Sequence, residues 1–158
     1  GMPANERMDY LVEKATDLGV QTIQPLQCER SVLRLAGDRA LRKREHWQAI
    51  AAAAAEQSGR TRVPQVVAVQ TLERFLAQPP DAARRLLLSP AQGTAPLHAV
   101  AAGAQELLTL SGPEGGLSRA EEQAALAHGF HRAHLGERVL RAETAPLAVL
   151  AWAGLKEP

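Results

Sequence analysis

The period of the apolar positions changes along the chain. Over residues 5–18 (NERMDYLVEKATDL), Met8, Leu11, Val12, Ala15 and Leu18 recur at helical spacing, and Gly19 stands where such a helix needs its C-terminal cap. VQTIQPLQC then reads as a short strand, interrupted or ended by Pro25. A long helix follows from Asp38 to about Ser58, with Gly59 as its stop. Alanine fills positions 51–55 of this helix, which favours helix and lets a neighbouring element approach closely. VPQVVAV reads as a strand, and Thr71 to Gln78 as a short helix stopped by Pro79 and Pro80. From there strand and helix patterns alternate. RRLLLSP, QELLTLSG and FHRAHLG are strands; APLHAVAAG, SRAEEQAALAHG and Thr144 to Leu155 are helices. Ser118 and Glu121 have the S-x-x-E spacing of a capping box, which fixes one helix start. Alternation at these lengths implies βαβ crossovers, hence an α/β domain with a mainly parallel sheet and helices on both faces.

Composition narrows the class. The chain has 158 residues, 46% hydrophobic and 22% charged, enough to bury a core. Aromatics are only 3%, so Ala, Leu and Val must fill that core. Cys28 is the single cysteine, which excludes an intrachain disulfide and fits a reducing, cytoplasmic setting. No apolar stretch reaches the length of a membrane span. The net charge of +1 says little, but residues 30–62 hold eight Arg and Lys against three carboxylates, a local +5. A basic region in a near-neutral protein is what contact with a phosphate backbone requires; a solvated helix face is the alternative.

Candidate chemistry gathers at the strand ends. In an open α/β sheet, ligands bind beyond the carboxyl ends of the strands. Three strands here end in Leu88-Ser89-Pro90, Leu110-Ser111-Gly112 and Leu135-Gly136. The second leads through GPEGG (112–116) into the capped helix, whose N-terminal amides suit an anion or carboxylate. Glycines there either make a tight turn or let a ligand lie against the backbone. Arg138, Arg141 and Glu143 crowd between a strand end and the last, apolar helix. Two arginines at a helix start suggest an anionic ligand or a paired carboxylate, Arg141–Glu143 being the simplest pair. G-x-G-x-x-G, Gly-Lys-Ser/Thr and G-x-S-x-G are all absent. His131 and His134 fall on opposite faces of a strand, so a shared metal is not expected.

Four segments in order, ERMDYLVEKATDLGVQTIQPLQCERSV, HWQAIAAAAAEQSGRTRVP, LSGPEGGLSRAE and LGERVLRAETA, resemble the RsmE family of ribosomal RNA methyltransferases. The resemblance covers nearly all of residues 6–155. It implies a SPOUT fold with a C-terminal trefoil knot, a homodimer, and S-adenosylmethionine as cofactor. It further implies methylation of uridine N3 in the 16S ribosomal RNA of the small ribosomal subunit, hence a cytoplasmic role in ribosome biogenesis. Carried onto this sequence, Leu88, Ser89 and Pro90 form one pocket wall, and Leu110, Gly112, Glu114, Gly115 and Gly116 the second. Leu135, Gly136, Val139, Leu140 and Arg141 close the third, with Thr144 and Ala145 opening the final helix. Arg141 and Glu143 are the catalytic candidates, one as cation and the other as its orienting partner or as proton acceptor. Arg30, Arg34, Arg60 and Arg62 are the candidate RNA surface. The final helix, through Leu147, Leu150 and Trp152, is the candidate dimer contact. Family members usually begin with a small β-barrel RNA-binding domain, whereas residues 2–158 are expected to hold the methyltransferase domain alone. The competing readings are a knotted methyltransferase acting on another RNA position such as a ribose 2′-hydroxyl, a non-catalytic RNA-binding or ribosome-assembly module, and a small-molecule-binding dimer.

Overall fold

The computed structural model describes residues 1–82, 84–90 and 93–155. Helix α1 (Glu6–Asp17) lays Met8, Val12 and Ala15 against α2 (Gly37–Gln57), which answers with Trp47 and Ala51. The alanine run earns its place here, since Ala51, Ala54 and Ala55 are buried. Asp9 of α1 ties the pair together: one oxygen accepts from Trp47 Nε1 at 3.0 Å, and the other lies 2.9 Å from His46 Nε2. Gly19 ends α1 as its position predicts, with its N–H and that of Val20 bonding back to Thr16 and Ala15.

The first strand reading is split by Pro25. β1 (Thr22–Ile23) pairs in parallel with β3 (Gln65–Val66), and β2 (Leu26–Gln27) with β4 (Gln70–Thr71). Proline has no N–H to give the ladder. The Gln24 side chain spans the gap instead, donating to Ala68 O at 2.8 Å and to Pro25 O at 3.0 Å. VPQVVAV is therefore a strand only at Gln65–Val66. Thr71 then caps α3 (Leu72–Ala77), accepting from Arg74 N–H.

The second half forms a parallel sheet of β5 (Arg84–Leu88), β6 (Ala95–Pro96), β7 (Leu107–Leu110) and β8 (His131–His134) in the order β6-β8-β5-β7. APLHAVAAG, expected as helix, gives its first two residues to β6 and only Leu97–Val100 to α4. β6 is an edge strand, where a proline is tolerated, and Pro96 serves as the helix N-cap. Leu86 and Leu87 are both fully buried but belong to different clusters, because successive side chains in a strand face opposite ways. Leu87 joins Leu26, Phe75, Leu110, Phe130 and Ala125 of α5 (Arg119–Ala127). Leu86 joins Leu97, Ala133 and Val149 of α6 (Thr144–Gly154). Helices thus cover both faces, as expected of an α/β sheet. Cys28 lies buried in the first cluster, and burial pushes its thiol pKa up from 9.0.

Candidate functional site

All four strands of the main sheet run the same way, so their carboxyl ends share one edge. Leu87 stands opposite Leu110, and Leu88 opposite Ala133. Ser89, Ser111 and His134 therefore emerge together. They line a cavity of about 670 Å³, within the range of small-molecule sites. Its third wall is the segment from Leu135 to Ala142, and Arg7 of α1 reaches its rim.

The GPEGG loop is shaped chiefly by its own backbone. Gly116 N–H closes a turn on Pro113 O at 2.8 Å. A Cβ on Gly112 would sit 2.7 Å from Leu117 N and 2.8 Å from Gly116 C, so no side chain fits there. Gly116 has φ +71°, the left-handed region that glycine occupies without strain. Gly115 faces away from the cavity: its Cβ would meet Arg30 Cβ at 3.1 Å, and its carbonyl accepts from the Arg30 guanidinium at 3.1 Å. Glu114 lines the cavity, accepting from Ala4 N–H at 2.7 Å and pairing with Arg7 at 3.5 Å. The loop delivers the chain to α5, where Ser118 and Glu121 form the complete capping box that the spacing predicts.

Of the expected pocket residues, Leu88, Ser89, Pro90, Gly112, Glu114, Gly116, Leu135, Gly136, Val139, Leu140, Arg141 and Ala145 line the cavity. Leu110, Gly115 and Thr144 do not. Leu110 is core, at 3% exposure, because its strand position turns it toward Phe130 and Leu117. Thr144 is exposed, and its N–H serves the helix start by bonding Arg141 O at 2.9 Å. Arg141 lines the cavity with an exposed side chain. Glu143 is 8% exposed, lies outside the lining, and its Oε2 has no hydrogen-bond partner among the described residues. The two form no ion pair among the described residues, so the simplest pairing read from the sequence is not made.

The cavity also has lining residues that were not among the expected pocket residues. His134 follows from the strand-end rule: it closes β8, and its Nδ1 accepts the Gly136 N–H at 3.1 Å. A neutral ring so held carries its proton on Nε2. Glu122 stands one residue past the capping Glu121. Arg7 had no local signal, since more than a hundred residues separate it from Glu114.

Two of the four candidate RNA arginines, Arg30 and Arg60, are anchored near opposite ends of α1. Arg30 reaches Gly115, beside the loop that meets the first turn of α1, and Arg34 donates to Glu29 O at 2.7 Å. Arg60 donates to Thr16 O at 2.9 Å, at the other end of α1, and Arg62 is exposed nearby in sequence. A helix of 12 residues separates those ends by about 18 Å.

A parallel α/β sheet with a glycine-walled cavity at the carboxyl ends of its strands defines a ligand-binding domain of the α/β class. The family of RNA methyltransferase domains matches residues 1–154, and the chain belongs to that family. It is 36% identical to ribosomal RNA small subunit methyltransferase E of Bacillus subtilis (strain 168), over 96% of this chain and 62% of that protein. Among solved structures, the small subunit methyltransferase E of Neisseria gonorrhoeae bound to S-adenosyl methionine is 36% identical, with a TM-score of 0.87 over 96% of this chain and 62% of that one. Legionella pneumophila Lpg2936, in complex with S-adenosylmethionine, is 30% identical, with a TM-score of 0.91 over 98% of this chain and 63% of that one. The chain thus spans about three fifths of the length of these relatives.

Proposed function

We propose that this chain is the S-adenosylmethionine-binding domain of a 16S ribosomal RNA methyltransferase acting on uridine N3. The observation that carries the reading is the cavity of about 670 Å³, walled by 88–90, by Gly112, Pro113, Glu114 and Gly116, and by the segment from Leu135 to Ala142. It lies in a chain that superposes on two structures solved with that cofactor. When bound, S-adenosylmethionine supplies a methyl group on a sulfonium, and in-line transfer asks the protein mainly for alignment.

The residues then divide the remaining work. Uridine N3 must lose a weakly acidic proton, leaving negative charge on the ring. Arg141, exposed on the cavity wall, offers a cation where such charge develops. Glu143 lies behind the wall, outside the cavity lining, with an Oε2 that has no hydrogen-bond partner among the described residues. As proton acceptor it would take the proton through a bridging water rather than by direct contact with the uridine. A second copy of the chain is the partner for α6, whose apolar residues Leu147, Leu150 and Trp152 are only half-buried. Arg30 and Arg34 are the RNA contacts nearest the pocket loop. The trefoil knot belongs to the same reading: β8, last of the strands in sequence, is inserted between β5 and β6, which a short connection joins.

Undermethylated small subunits incubated with the protein and labelled S-adenosylmethionine test this. N3-methyluridine, read as a reverse-transcription stop, is the expected product. Arg141→Ala should lose turnover while S-adenosylhomocysteine affinity stays within about threefold. Methylation of a ribose 2′-hydroxyl would contradict the reading. Joint loss of affinity and turnover would make Arg141 a pocket residue only.

A further inference from the structure

The cavity is lined by two carboxylates in very different situations. Glu114 is held on the rim by the start of the chain. Glu122 is held by the sheet itself. Arg132 of β8, which does not line the cavity, grips Glu122 Oε2 from behind with Nη2 at 2.7 Å and Nε at 3.3 Å. Ser89, at the end of β5 and 4% exposed, donates its hydroxyl to Glu122 Oε1 at 3.2 Å. Three elements, β5, β8 and α5, thus converge on one carboxylate.

A carboxylate offers about four acceptor positions. Among the described residues, the donors on Glu122 fill two positions on Oε2 and one on Oε1, so the open position belongs to the oxygen shared with Ser89, and both residues line the cavity. Arg132 balances the charge and fixes the rotamer, which leaves a pre-set acceptor facing a largely apolar space. Such an acceptor discriminates between ligands, because one lacking the matching donor leaves it unpaired.

We propose that Glu122 is a ligand-binding residue whose Oε1 accepts a hydrogen bond from a hydroxyl or ammonium donor of the bound molecule, with Arg132 as its positioning residue. The inference rests on the cavity being the S-adenosylmethionine site, whose ligand carries both donor types, in its ribose and its amino-acid part.

Calorimetric titration with S-adenosylhomocysteine and with 5′-methylthioadenosine, which lacks the amino-acid part, tests it, with melting temperature recorded alongside. Glu122→Gln keeps the side-chain shape, and with its carbonyl turned to Arg132 it places an NH2 donor where Oε1 accepts. It should weaken S-adenosylhomocysteine about tenfold or more. Equal weakening of methylthioadenosine assigns the donor to the ribose; no weakening of it assigns the ammonium. Arg132→Gln, which leaves the carboxylate in place but unclamped, should weaken S-adenosylhomocysteine by a smaller factor. Unchanged affinity for both ligands in both variants, with a lowered melting temperature, would reduce the group to an ion pair between α5 and β8 and overturn the proposal. Failure of the wild-type protein to bind either ligand would overturn the cofactor reading and this inference together, an outcome distinct from a variant that binds as well as wild type.

Discussion

At the scale of single residues, the glycines of GPEGG have three different reasons to be glycine. Gly112 is fixed by backbone 2.7 Å from where its Cβ would stand, Gly116 by its positive φ, and Gly115 by the side chain of Arg30. Backbone cannot yield as a side chain can. Gly112→Ala should therefore cost about 1–3 kcal/mol of stability and distort the cavity wall, as overpacking does elsewhere. Gly115→Ala needs only a small shift of Arg30 and should cost less than about 1 kcal/mol, with ligand affinity nearly unchanged. Urea titration of the two variants checks this, and an equal cost at both positions would contradict it. The distinction was not legible in the sequence, where all three are letters in one motif.

At the scale of elements, helix α6 is the one with unfinished business. It is apolar on every side, yet only Val149 is fully buried, and Leu155 just beyond it is 88% exposed. A helix of that kind belongs inside a larger assembly. Leu150→Glu should convert a dimer to monomer in light scattering while leaving the circular dichroism of the fold intact; a wild-type protein already monomeric at high concentration would contradict the assignment. Element type and order were largely readable beforehand, because caps are local chemistry. Ser118 and Glu121 fixed α5 from four letters, and Gly19 and Gly59 closed α1 and α2. The departures have a common source. Pro25 split one strand and Pro96 turned part of an expected helix into an edge strand, since a residue without an N–H takes its place according to its neighbours in space. Strand ends carried the pocket reading through 88–90, most of 112–116 and Leu135-Gly136, and the family resemblance extended it to Val139, Leu140 and Arg141. Arg7 and Arg132 were not readable, because which helix end meets which loop is decided by packing.

At the scale of the whole molecule, Arg30 and Arg60 of the basic stretch are anchored near opposite ends of α1, a helix about 18 Å long. Arg30 and Arg34 stand beside the pocket loop, whereas Arg60 caps the carbonyl end of α1 through Thr16. Replacing Arg30 and Arg34 with Gln should weaken RNA binding and lower its salt slope by about one to two. Arg60→Gln should lower the melting temperature and leave that slope unchanged; the reverse pattern would place the RNA at the other end of the helix. All of this depends on the cavity at the carboxyl edge of the sheet being a cofactor site. The most direct measurement is calorimetric titration of the chain with S-adenosylmethionine and S-adenosylhomocysteine. Saturable binding near one site per chain, weakened by Gly112→Ala, is the predicted result. A folded sample that gives no binding heat and no rise in melting temperature with either ligand would contradict it.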